Sequence, residues 1–118
     1  RGPLHAFLKG LGRDMSDTGG TTPVAHLLAS EALPEGAILT HMNQLRAEDW
    51  RLLRGRRFSI VHCPRCHEYF GRAPFPLERF LVEGFNVCLG TDSLASNRSL
   101  DLFAEMRSAR AHHPGLAP

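Results

Sequence analysis

Residues 85–97 read Phe-Asn-Val-Cys-Leu-Gly-Thr-Asp-Ser-Leu-Ala-Ser-Asn, and this stretch decides the fold. Its apolar start, Phe85 to Leu89, is set between Gly84 and Gly90. An apolar run this short, bounded by glycines, reads as a strand buried in a sheet. Just past its C-terminal end the chain delivers a carboxylate, Asp92. The same pattern recurs twice upstream. Ala37-Ile38-Leu39-Thr40 follows Pro34 and Gly36 and ends in His41, and Phe58-Ser59-Ile60-Val61 ends in His62.

Helical patterns separate these runs. Ala47 to Leu53 is stopped by Gly55, and Phe75 to Val82 is stopped by Gly84. Ser99 to Ala111 is a closing helix with Leu100, Phe103 and Met106 on one face. Strands alternating with helices imply a parallel sheet with right-handed crossovers. Continuously apolar strands suit a sheet covered on both faces. Upstream, residues 2–11 read as a helix, with Leu4, Phe7, Leu8 and Leu11 at helical spacing. Residues 12–22 are polar and Gly-rich, so a loop. Thr22-Pro23 resembles an N-cap followed by Pro at the first helical position, opening a helix to about Ala32. The expected organisation is a helical connection over 1–35, three βα units over 36–111 and a frayed tail over 112–118.

Composition narrows the function classes. A chain of 118 residues with 42% apolar content suits one globular unit. The net charge is only +2, and the clustered Arg51, Arg54, Arg56 and Arg57 read as a solvated face. Nothing in this pattern asks for nucleic acid. No apolar run approaches the roughly 20 residues that cross a membrane, and nothing at the start resembles a signal peptide. Three cysteines, Cys63, Cys66 and Cys88, make no disulfide framework, so a cytoplasmic setting is expected. Arg1 in place of Met suggests that the natural start lies upstream.

The chemistry is positional. His41, His62 and Asp92 each close one strand, and α/β barrels carry their active sites at the C-terminal strand ends. The three side chains are expected to converge on one mouth. His and Asp are suitable ligands for zinc or another divalent metal, and a carboxylate beside the metal can accept a proton from water. The bland readings are a hydrogen-bonded, half-buried histidine and an aspartate that caps the following helix.

The segments Ile38-Leu39-Thr40-His41, Ser59-Ile60-Val61-His62-Cys63-Pro64-Arg65 and Val87 to Asn97 resemble the amidohydrolase superfamily, in its cytosine deaminase-like and chlorohydrolase-like branch. The GTDSLASN stretch, with Leu102-Phe103-Ala104-Glu105-Met106 downstream, is the most specific part, and the resemblance covers nearly the whole chain. It implies a fragment of a (β/α)8 TIM-type barrel, with parallel strands six to eight. It implies metal-dependent hydrolysis of a non-peptide carbon–nitrogen bond, of deaminase or chlorohydrolase type, on a heterocyclic or amidine-like small molecule. In that family's terms Asp92 binds the metal and takes a proton from the attacking water. His41 contacts water or substrate, and is a second metal ligand in two-metal relatives. His62 lines the substrate side of the mouth. Ser93 and Asn97 are read as loop and helix-start residues that hold Asp92 in place. The implied cofactor is a divalent metal, zinc or iron. A homo-oligomeric parent is left open.

Several family features have no counterpart here: the first-strand His-x-His pair, the fifth-strand His and the Glu three residues after it. Cys66 departs from the small hydroxyl residue usual in such relatives. The fragment alone is therefore expected to bind metal weakly, to be inactive, and to leave two strand edges unpaired. Two other readings use Cys63-Pro64-Arg65-Cys66. A zinc module would need a second ligand pair, and Cys88 and His112-His113 lack the spacing. A thioredoxin-like module would need a long helix after Cys66, where Gly71, Pro74 and Pro76 stand.

Overall fold

Side-chain parity organises this chain. In a computed structural model, which describes residues 2–16 and 20–115, three short strands align in parallel in the order β1-β2-β3. They are β1 (Ile38–Thr40), β2 (Ser59–His62) and β3 (Asn86–Leu89). Leu39 stands beside Ile60, and Ile60 beside Val87. Successive side chains in a strand point to opposite faces, so Leu39, Ile60, His62, Val87 and Leu89 share one face. Ile38, Thr40, Ser59, Val61, Asn86 and Cys88 share the other.

The first face is the core. Ile60 is fully buried, and so are Leu53, Phe58 and Phe80. An aromatic layer covers it: the Trp50 and Phe80 rings lie 4.6 Å apart, Phe80 and Phe75 5.3 Å, and Phe80 and Phe85 5.5 Å. These rings come from α3 (Ala47–Leu53), from α5 (Leu77–Val82) and from the residues just before β3 and α5. The second face is open, with Ile38 69% exposed. Continuous apolarity led to the expectation of cover on both faces. Residues 33–115 cover only one, and the polar Thr40, Ser59 and Asn86 accompany the apolar side chains on the other. β1 and β3 each pair with β2 alone among the described residues.

The chain divides into two units, residues 1–32 and 33–118. The first holds α1 (Pro3–Gly10) and α2 (Pro23–Ala29). Thr22 caps α2 as expected, its hydroxyl accepting from the Ala25 amide at 3.1 Å, and Pro23 occupies the first turn. Of the expected loop over 12–22, residues 17–19 lie outside the described residues, as do Arg1 and, in the expected tail, residues 116–118.

In the second unit α3 begins where expected. The Asp49 carboxylate accepts from the Arg46 amide at 2.8 Å, and Gly55 turns the chain at φ 76°. The closing helix, α6 (Leu102–His112), starts later than Ser99, because Asp101 caps the amides of Phe103 and Ala104. One helix has no sequence expectation: α4 (Pro64–Tyr69), a short turn directly after β2. The tail also begins later than residue 112. His113 is buried, its Nδ1 3.0 Å from the Glu78 carboxylate. No helix among the described residues is long and apolar enough to cross a membrane.

Candidate active site

His41 and Asp92 come together at the C-terminal ends of β1 and β3. Both leave their strands in the left-handed region, at φ 62° and 57°. Residues other than glycine avoid that conformation, at a cost of roughly 1–2 kcal/mol. Here it breaks the strand alternation and swings both side chains over one rim. The His41 Nε2 and Asp92 Oδ1 atoms lie 3.8 Å apart, and both side chains remain accessible to solvent.

Both side-chain donors to Asp92 meet the same oxygen. Its Oδ2 accepts from the Ser96 hydroxyl at 2.6 Å and from the Cys66 thiol at 2.9 Å. Oδ1 is left turned to His41. The thiol first, and the hydroxyl next, hold the Asp92 carboxyl below the usual carboxylate range, and the nearby His41 adds to this. The carboxylate is therefore an anion whose Oδ1 is oriented toward His41.

The loop behind it is fixed from within. Asn97 donates to the Thr91 carbonyl at 2.7 Å and to Glu105 Oε1 at 2.6 Å. Glu105 is fully buried and accepts from the Arg65 amide at 3.0 Å, with the Arg65 guanidinium 3.9 Å from its other oxygen. Arg65 in turn donates to Ser99 at 2.9 Å. This network joins the α4 start, the loop after β3 and α6. Gly90 lets the loop approach β2, because a Cβ there would stand 2.8 Å from Val61 Cγ1.

A cleft of about 360 Å³ opens beside the pair. Asn43, Gln44, Phe70 and Arg72 line it together with His41, Cys66 and Asp92. His62 is absent from this cleft. Parity places its ring with Ile60 on the covered face, where it is buried and stacked on Phe75 at 4.0 Å, nearly parallel. It lines a second cavity of about 300 Å³, together with Phe75, His112 and His113. His67 and Arg72 line both spaces. The expected three-residue mouth is thus a pair. Burial, then the charges of His67, His113 and His112, push the His62 imidazole down to about 3, so it is neutral at pH 7.

Sequence reasoning assigned Cys66 no role at the rim and named Ser93 rather than Ser96 as a support. The one visible signal was that Cys66 stands where a hydroxyl is usual. Neither CPRC reading gains from the geometry. Burial above all, then the Asp92 and Cys66 charges, pushes the Cys63 thiol up to about 11, and Cys66 is raised as well. Exchange chemistry needs the opposite shift. Among the described residues, the group of His, Cys and acidic side chains able to share an ion is His41, Cys66 and Asp92.

These residues fit a divalent cation. An oriented carboxylate oxygen, an imidazole nitrogen and a sulfur face one another within 4.8 Å, a mixed donor set of the kind zinc takes.

The chain matches the Amidohydrolase family over residues 6–118. The chain belongs to the amidohydrolase family. It is 41% identical over 90 residues to a 5-methylthioadenosine/S-adenosylhomocysteine deaminase of Pyrococcus furiosus, covering 76% of this chain and 22% of that protein. It is 39% identical over 111 residues to a 5'-deoxyadenosine deaminase of Methanospirillum hungatei, covering 90% of this chain and 24% of that protein. Among solved structures it resembles an adenosine deaminase from Xanthomonas campestris with bound zinc, at a TM-score of 0.72 and 32% identity, over 80% of this chain and 21% of that one. This amidohydrolase chain therefore spans about a fifth to a quarter of the length of these curated relatives. Its three parallel βα units are part of an α/β barrel.

Proposed function

We propose that this amidohydrolase chain carries the Asp92–His41 rim of a zinc-dependent deaminase acting on a 6-aminopurine nucleoside. The observation that carries this reading is Asp92 Oδ1, aimed at His41 across 3.8 Å while Oδ2 is tied down by Cys66 and Ser96. The printed names of the relatives supply the substrate class, since they are deaminases of adenosine-type molecules.

The net reaction is hydrolytic: water adds to the ring carbon bearing the amino group, and ammonia leaves. When bound, a divalent ion supplies Lewis acidity at the rim and lowers the pKa of water there. Asp92 would contribute Oδ1 to that ion and, as an anion, accept the proton of the attacking water. His41, opposite it, would donate to or stabilise the charge that develops on the purine ring. Asn43 and Gln44 offer amide groups to the polar edge of a substrate lying in the cleft, and Phe70 offers a ring face. His62 is left out of this assignment, because its ring faces the second cavity and is neutral.

The test is Asp92→Ala in the complete protein that contains this chain. Bound zinc, measured by elemental analysis, and deamination of adenosine-type substrates should disappear together, with turnover down at least about a hundredfold. Full activity in that variant would refute the role assigned to Asp92.

A further inference from the structure

The second cavity, of about 300 Å³, lies on the covered face of the sheet, and the deaminase reading gives it no task. We propose that it binds a small oxyanion, of the carboxylate or phosphate class, between the Arg72 guanidinium and the imidazoles of His62 and His113. A metal ion at the rim is not needed for this.

Charge comes first. Four imidazoles, those of His62, His67, His112 and His113, share this cavity with the Arg72 guanidinium. Arg72 has no carboxylate partner among the described residues. Two acidic residues stand near. Glu78 is already engaged, its carboxylate 3.0 Å from His113 Nδ1. Glu68 lines the cavity but also lines a separate space with Arg65 and Arg98, where two guanidiniums oppose its charge. A permanent cation without a counter-ion, in a recess walled by groups that can each take a proton, suits an anion.

The second observation is an unmet polar atom. His62 is 3% exposed and His113 4%. The His62 ring lies flat against Phe75, and its Nδ1 has no hydrogen-bond partner. Buried polar atoms are paired in the large majority of cases, and leaving one unpaired costs roughly 1–3 kcal/mol. Burial first, then the charges of His67, His113 and His112, oppose a proton on His62. An oxyanion would accept from an N–H at His62 Nδ1, counter those charges, and take paired N–H bonds from Arg72. At about 300 Å³ the cavity stands at the small end of ligand pockets, and Pro64, Pro74 and Phe75 suit the carbon skeleton of a small acid. Arg72 and His67 also line the cleft, so the anion would sit one side chain away from the substrate.

The test uses the complete protein that contains this chain, at low ionic strength. Phosphate and malonate are titrated by calorimetry, and crystals are soaked in selenate, whose anomalous signal locates the ion. The expected result is one saturable anion per chain with a Kd of about 1 mM, and a selenium peak between Arg72 and His62. Arg72→Gln and His62→Phe, the latter keeping a ring against Phe75, should each weaken binding at least about fivefold. Arg54→Gln, at an exposed surface arginine, should leave it unchanged. The tighter of malonate and phosphate tells a carboxylate ligand from a phosphate one. The selenate position in the unmutated protein does not depend on whether either variant folds. Selenate found only at the rim or on the surface, or unchanged affinity in both variants, would overturn the proposal. Neither result touches the role of Asp92, which stands or falls with Asp92→Ala.

Discussion

Two histidines, His41 and His62, close neighbouring strands of one sheet and end in opposite circumstances. His41 leaves its strand at φ 62°, open to solvent and 3.8 Å from a carboxylate. His62 keeps the strand conformation, is buried, and stacks on Phe75. One local dihedral separates a solvent-open rim imidazole from a neutral core imidazole. The difference teaches that a polar residue at a strand end becomes a site only when the backbone breaks parity there and something behind it holds the break. For Asp92 that support is the chain of bonds from Asn97 through Glu105 to Arg65.

The comparison can be broken hardest at that support. Glu105→Ala takes the acceptor from the part-buried Arg65 amide, takes one of the two acceptors from the Asn97 amide group, and removes the ionic partner of the Arg65 guanidinium. Such a loss should cost about 3 kcal/mol in urea unfolding. Backbone amides of residues 91–97 should exchange hydrogen faster, while those of β2 keep their relative protection. A variant as stable as the original would mean that the rim does not depend on this network.

The buried partner of the comparison gives the next effect. The His62 pKa is lowered in the folded chain, from 6.5 to about 3, so the unfolded chain binds the proton more readily. Stability from this group is fully present above pH 6.5 and is lost progressively as pH falls toward 3. Between pH 6.5 and pH 5 the loss should reach up to about 2 kcal/mol. His62→Phe keeps the stacking on Phe75 and should flatten this part of the pH profile. An unchanged slope in His62→Phe would place the acid sensitivity elsewhere.

The smallest effect sharpens the rim itself. Glycine adopts positive φ freely, so His41→Gly should be more stable than His41→Ala by about 1 kcal/mol. Equal stability of the two in thermal unfolding would argue that the left-handed turn at His41 carries no strain.

Much of this was legible beforehand. The three strands, α3, α5 and the Thr22 cap lie where glycines, prolines and apolar spacing put them. Boundaries shifted by a residue or two where a buried aromatic such as Phe58 or Phe85 precedes the ladder. The short α4 leaves little sequence signal, because six residues carry little periodicity and Gly71, Pro74 and Pro76 follow it. His41 and Asp92 could be named from position and family resemblance. The separation of His62 from them could in principle be read from strand parity, since it shares a face with Ile60. The roles of Cys66 and Ser96 could not, because their approach to Asp92 joins residues 26 and 4 positions away along the chain.

By itself the sequence determined the alternation of strand and helix, the membership in the amidohydrolase family, and which chemical groups stand at the strand ends, because propensity, turn residues and motif spacing are local properties. Only the tertiary structure decided which of those groups meet. The left-handed turns at His41 and Asp92 are unfavourable for their own residues and persist because packing and a buried hydrogen-bond network hold them. A conformation imposed by long-range contacts against local preference leaves no trace in local sequence.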